Sequence, residues 1–483
     1  MNPAITIGIL SGYFGLLLLI SYFTSKGATN LSFFTANRQS PWYLVAYGMI
    51  GASLSGVTFI SVPGEVGRSF FSYFQVVLGY IVGYFVIATV LMPLYYRMDK
   101  LTIYGYLQER FGYWAYKTGS FFFILSRVIG SAFRLFLVAG VLQLSIFNAW
   151  DIPFWVSVMV TMVLIWLYTF RGGIKTIVWT DTLQTTFMLL AVLASIKLIA
   201  DDLNMDISGI WSLLVDGERS QIFFWDWRDN NHFVKQFASG AFIAIVMTGL
   251  DQDMMQKNLT CRSLCEAQKN MFWFTITLVL VNLIFLTLGL LLYEYAAALM
   301  IDIPQRSDNL YPMLALDYFP FGVGILFLLG ITAAAYSSAD SALTALTTSF
   351  CVDILGIRID PGKEEYNQRI RKLVHIGFMF VIFAVIIAFE MLNDESVINS
   401  IFKAAGYTYG PLLGLFSFGL LVKRKVRDGW VPIVAMASPV VSYIVNANSE
   451  QWLFGYKFGF EILILNGLLT FLGLFIISKK AGG

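Results

Sequence analysis

The chain predicts an all-helical integral membrane fold of about thirteen transmembrane helices, and three observations carry that prediction. Of its 483 residues, 58% are hydrophobic and only 13% charged, far from the balance of a soluble domain. Apolar runs of about 20 residues, enough to cross roughly 30 Å of hydrocarbon, recur along the whole length. The segments between those runs alternate between rich and poor in Lys and Arg.

The runs lie at 5–24, 44–62, 74–95, 117–146, 152–171, 177–200, 234–256, 270–297, 321–352, 370–391, 397–422, 430–447 and 458–478. Together they make one transmembrane unit, 1–483, with no appended soluble domain. The first has no basic stretch before it and reads as a retained span. Placing the N-terminus outside puts 22 of the 32 basic residues on inward segments, Lys257, Arg358, Arg369, Lys423, Arg424 and Lys480 among them. Six fall on outward segments. The positive-inside rule therefore favours an outside N-terminus and a cytoplasmic C-terminus, which an odd number of crossings satisfies. The protein is expected as a multi-pass component of the cell membrane, a bacterial inner membrane, with the lipid bilayer as a partner.

Other classes are disfavoured. A formal charge of +2 implies no nucleic-acid partner. Cys261, Cys265 and Cys351 sit at inward helix ends and read as packing residues, not a disulfide framework. The sequons at Asn30 and Asn258 fall on the inward side and are not expected to carry glycans. His232 and His375 lie on opposite sides of the membrane and cannot share an acid–base or metal site, so an enzyme is not expected. The longest outward segment, 201–233, is acidic and rich in Trp and Phe, and predicts a short interfacial helix.

Polar groups inside the runs carry the functional signal. The stretch GASLSGVTFISVPG, Gly51 to Gly64, places Ser53, Ser55, Thr58 and Ser61 where a helix that already satisfies its backbone would meet only lipid. Such groups need another helix, water or a cargo. Arg127, Arg134, Asp181, Asp340 and Lys403 also lie within runs, where an unpaired charge costs at least about 2.5–3.5 kcal/mol near the bilayer centre. In the ninth run Ala334, Ser337, Ser338 and Ser341 share one helical face. Small residues allow close helix packing, which accounts for the alanines but not for Asp340. A helix unwound at Gly51–Gly56 would free carbonyls which, with hydroxyls of the ninth run, form an all-oxygen cage suited to a monovalent cation such as sodium. Asp181 offers a second acidic position. Arg134 answers either a substrate acid or an internal one; Lys403 snorkels or meets cargo; Tyr407 and Tyr409 gate or pack.

Several stretches resemble the sodium:solute symporter family. FRGGIKTIVWTDTLQ (170–184) is similar to its helix with a Gly-Gly turn and a Thr-Asp-x-x-Gln motif. LTIYGYLQERFG resembles its inward loop, and LDQDMMQKNLTCRSLCEAQKN its Gln-rich helix end. SSADSALTALTTSFCVDIL resembles its sodium-binding helix. The resemblance implies a LeuT-type fold with two inverted five-helix repeats, at about 44–200 and 234–422, and peripheral helices at 5–24, 430–447 and 458–478. It implies one or two sodium ions. The first site falls on Gly51, Leu54, Ala334, Ser337 and Ser338. The second falls on Asp181, Ser337, Asp340 and Ser341.

SLSGVTFISVP is particularly similar to bacterial sialic acid symporters, which implies substrate contacts at Ser53, Ser55, Thr58, Arg134 and a position near Tyr80. Asp340 departs from that branch, which has a serine there, and Tyr80 stands near its substrate glutamine. A monomeric, sodium-coupled importer of a small polar solute is the resulting expectation, with sialic acid, neutral sugar, amino acid and small carboxylate as candidate cargoes.

Overall fold

The computed structural model describes residues 3–26, 30–357, 363–391 and 397–479. Arg358 and Lys480 of the charge count, and the Asn30 side chain, lie outside the described residues. Thirteen helical segments occupy the thirteen expected positions: α1 (Pro3–Thr24), α2 (Trp42–Ser69), α3 (Tyr73–Met98), α4 (Tyr113–Ser145), α5 (Phe154–Leu167), α6 (Gly173–Asp202), α7a (Phe233–Gly249) with α7b (Gln252–Asn258), α8 (Leu264–Ala298), α9 (Phe321–Ile354), α10 (Glu364–Glu390), α11a (Val397–Thr408) with α11b (Gly410–Leu421), α12 (Val431–Ala447) and α13 (Ile462–Ile476). Nine of these, and α7a with α7b as a bent tenth, are long and apolar enough to cross a membrane among the described residues; α5, α11b and α13 are shorter.

Helices α2 and α9 are the most enclosed. Every described residue of α9 from Phe327 to Ser349 is buried, whereas α10 and α12 keep most of their apolar surface outward, as helices facing lipid do. Helix α9 packs along α5 and α6, α2 lies against α8, and α3 crosses α7a. That last crossing depends on glycine. A Cβ on Gly79 would lie 2.1 Å from the Phe237 carbonyl oxygen, and one on Gly240 would lie 2.0 Å from that of Val76. Neither backbone could come so close to a larger residue. Gly173, with φ 54°, turns the chain between α5 and α6, and a Cβ there would meet the Phe33 ring.

Two spans are bent where the sequence reading drew them straight. α7a and α7b meet at 70°, with Asp251 between them, and α11a passes into α11b at Tyr409. In the segment 201–233, Ile207–Asp216 forms the expected short helix. Its N-cap Asp206 accepts from the Ser208 hydroxyl and the Gly209 amide, which hold its carboxyl below the usual range. Ile207, Trp211 and Val215 leave one exposed apolar stripe, the signature of a helix lying in the headgroup region.

Asn258 is buried and hydrogen-bonded to Asn270, which excludes it as a glycan acceptor. Cys261 and Cys351 are buried free thiols, and Cys265 is an exposed one. His375 sits between the hydroxyls of Thr169 and Thr347, a packing role. Lys257, expected on an inward segment, is buried at a helix end and not exposed on a loop. Its side chain is 1% exposed and ends on Asp181, because α7b tucks beneath the bundle and does not run out as a loop.

Candidate functional site

The break expected in the second span is present. Helix α2 is interrupted at Ser55, where φ 45° and ψ 174° are far from helical values for a residue that is itself buried. A non-glycine residue holds such a conformation only when its surroundings determine it, and the inference runs from strain to function. Gly51 brings α2 against α6: its amide donates to Thr185 Oγ1 at 3.1 Å, and a Cβ there would lie 2.3 Å from that oxygen. Thr185 in turn donates to the Asp181 and Tyr47 carbonyls.

Helix α9 faces this break. Ser338 Oγ lies 3.4 Å from the Ala52 carbonyl oxygen and 3.3 Å from that of Ala334. The facing carbonyl is thus that of Ala52, between the expected Gly51 and Leu54. Ser337 Oγ donates to Asp181 Oδ1 at 2.6 Å. Gly51, Ala52, Ala334, Ser337 and Ser338 thus meet where α2, α6 and α9 cross, while Leu54 is buried and lines the neighbouring cavity. Among the described residues no cluster of three or more His, Cys, Asp or Glu could hold a metal ion. The donors here are carbonyls, hydroxyls and a carboxylate, a set that fits a hard monovalent ion and not a transition metal.

The four residues of the second expected site are divided. Asp181 and Ser337 are joined, but Ser341 turns to Asp253 Oδ2 at 3.2 Å and to the Ser337 carbonyl oxygen. Asp340 is fully buried on α9 within electrostatic range of Tyr13 on α1. Asp181 Oδ2 accepts from Lys257 Nζ at 2.7 Å, both side chains 1% exposed.

A cavity lies beside the α2 break, walled by α2, α3, α4, α7a, α7b, α8 and α11a. Ser53, Ser55, Thr58, Tyr80 and Arg134 all line it, so the five positions expected to contact substrate come together. Tyr84, Thr248 and Asn282 complete its polar wall. Sequence reading missed these three, each a single polar residue in an apolar run. Arg134 forms no ion pair among the described residues, and its Nε has no hydrogen-bond partner.

Arg127, two turns earlier on α4, behaves differently. It pairs with Asp253 and lies 3.8 Å from Asp251. Tyr409, at the α11 break, donates to Asp251 as well, and Tyr104 and Tyr95 donate to the carbonyls of Leu250 and Gly249. The α7 break is thereby tied to α3, α4 and α11. Asp251 and Asp253 were visible as two acids within the seventh run, a signal the sequence reading did not use.

Above the cavity Tyr73 stacks on Phe402, ring centroids 6.3 Å apart at 14°, and Tyr73 Oη is 3.2 Å from Tyr80 Oη. Beyond this pair a wider space of about 1390 Å³ is lined by Arg68, Lys403 and Tyr407, and shares Tyr73, Ile398 and Phe402 with the cavity. Lys403 thus stands at the vestibule wall. Tyr407 accepts from Asn446 and packs, while Tyr409 serves the α7 break.

The chain matches the model of the sodium:solute symporter family over residues 33–436. It is 23% identical over 477 residues to the sodium/sialic acid symporter NanT of Aliivibrio fischeri, covering 95% of this chain and 92% of that one. It is 28% identical to the mouse sodium-coupled monocarboxylate transporter 1, covering 84% and 68%. A solved structure described as the substrate-bound outward-open state of a Na+-coupled sialic acid symporter superposes with a TM-score of 0.83 at 20% identity over 99% of each chain. The architecture is thus the LeuT-type fold expected from the resemblance. With a match spanning most of its length, the chain belongs to the sodium:solute symporter family, and is a sodium-coupled membrane transporter of a small solute, not an enzyme.

Proposed function

We propose that the solute carries a carboxylate and that Arg134 receives it. The observation behind this reading is the contrast on α4. Both line a cavity walled by hydroxyls, but Arg127 has two acids, whereas Arg134 forms no ion pair among the described residues. A buried guanidinium is costly unless an anion answers it, and its planar fork matches a carboxylate bidentately. A sugar acid of the sialic acid type fits the remaining wall, since Ser53, Ser55, Thr58, Tyr80 and Asn282 offer hydroxyl and amide partners. A smaller monocarboxylate is the second candidate. The names of two relatives favour the class, being a sialic acid symporter and a monocarboxylate transporter.

Sodium in this reading is held by the carbonyls of Gly51, Leu54 and Ala334 and the hydroxyls of Ser337 and Ser338. Its binding draws the broken α2 against α9, so that Ser53, Ser55 and Thr58 on the same break are set for the solute. The coupling is reciprocal: solute raises sodium affinity by the factor that sodium raises solute affinity. The vestibule opens on the side carrying Arg68, which the charge count assigns to the outside; the opposite end is closed around Asp251. This arrangement supports an outward-facing state, with the N-terminus outside. Helices α2–α6 and α7–α11 then act as two inverted repeats whose first members are the two broken spans.

The test is uptake into proteoliposomes with an inward sodium gradient, screening sialic acid, short monocarboxylates, neutral sugars and amino acids. Arg134→Lys is expected to raise the KM for the anionic solute about tenfold or more, as loss of a charged hydrogen-bonded contact worth roughly 1.5–3 kcal/mol implies, with sodium affinity little changed. A neutral sugar as best substrate, or equal uptake in sodium and choline, rejects the reading.

A further inference from the structure

We infer that Lys257 occupies the position of a second cation at Asp181, so that this chain couples one sodium ion, not two, to each solute. The inference rests on the symport reading above and concerns its stoichiometry. Both oxygens of the Asp181 carboxylate are engaged, Oδ1 by the Ser337 hydroxyl at 2.6 Å and Oδ2 by the Lys257 ammonium at 2.7 Å. An ammonium and a sodium ion are both monovalent, and either one neutralises a lone buried carboxylate. The two therefore compete for the same charge.

Geometry decides the competition for Lys257. Its side chain is among the largest that are fully buried, on a short helix whose residues Gln252–Asn258 are all buried. The other nearby acids of that helix and its cap, Asp251 and Asp253, are taken by Arg127, Tyr409 and Ser341. A sodium ion entering at Asp181 would take from this buried cation the ion pair that it makes among the described residues. Ser341, the further hydroxyl expected at such a site, has turned away to Asp253. Of the two hydroxyls of the first site, Ser337 is shared with Asp181, while Ser338 faces the carbonyls of Ala52 and Ala334.

The stoichiometry has an electrical consequence. One sodium with one monoanion moves no net charge, so a membrane potential would not drive uptake, and a tenfold sodium gradient would support about tenfold accumulation. Two sodium ions would move one net charge and add roughly fiftyfold more per 100 mV.

The experiment counts sodium directly, by equilibrium binding of radioactive sodium to the purified chain, and reads uptake of a monocarboxylate against an imposed inside-negative potential. The unaltered chain is expected to bind one sodium ion and to show uptake insensitive to the potential. Lys257→Ala, which frees Asp181, is expected to raise the count to two. Should that variant not fold, the paired change Asp181→Asn with Lys257→Met removes both charges together and is expected to keep one bound sodium. Two ions on the unaltered chain, one on Lys257→Ala, or none on the paired variant would overturn the inference while leaving sodium symport intact. Sodium-independent uptake by the unaltered chain would overturn the symport reading itself.

Discussion

The breaks in α2 and α7 are built from opposite chemistry. Around Ser55 the chain is neutral: glycines, hydroxyls and carbonyls, with Ala52 facing Ser338 across a 3.4 Å gap. Around Asp251 it is charged and its carboxylate is paired, with Arg127, Tyr409 and the Asp253 amide all on it. A break whose polar groups are already paired is a fixed joint. One whose carbonyls and hydroxyls face a cavity can take a ligand. In the proposed function, α2 therefore binds and α7 holds the opposite wall.

The largest expected effect breaks the α7 side. Arg127→Met strands Asp251 and Asp253 in the interior, and removal of one partner from a buried pair costs about 3–5 kcal/mol. A large fall in the thermal unfolding midpoint in detergent, or loss of folded protein, is expected; an unchanged midpoint would refute the fixed joint. Ser338→Ala probes the α2 side and should leave the fold intact while weakening apparent sodium affinity tenfold or more, because a low-dielectric oxygen cage loses one ligand. A fall in stability without a change in sodium dependence would make Ser338 a packing residue. The smallest effect sharpens the contrast. Tyr409→Phe removes one donor from an acid that Arg127 and the Asp253 amide still serve, for a loss of about 1 kcal/mol, read as a small shift in the midpoint with solute KM unchanged.

The spans were legible because apolar length and charged punctuation are local properties, and the α2 break because hydroxyls and glycines crowd an otherwise apolar run. The wall positions Ser53, Ser55, Thr58, Tyr80 and Arg134 meet at one cavity, as the family resemblance implied. What remained hidden is long-range pairing. Arg127 and Arg134 sit seven residues apart on one helical face and look equivalent in sequence; they differ only in that α7 delivers two acids to the first. Lys257 follows a polar helix end that reads like a loop, and only the 70° bend between α7a and α7b turns it inward to Asp181. A bend between two elements leaves no periodic trace in either.

The stacked rings of Tyr73 and Phe402 carry a kinetic consequence. They divide a wide antechamber from a smaller chamber, so a solute must displace this aromatic pair to pass. Capture then proceeds in two steps, a fast encounter in the antechamber followed by a ring displacement whose rate does not depend on solute concentration. At high solute the observed binding rate should level off at the frequency with which the rings open. The same frequency caps escape, so two side chains set a floor on residence time in the chamber however weak the contacts beneath them.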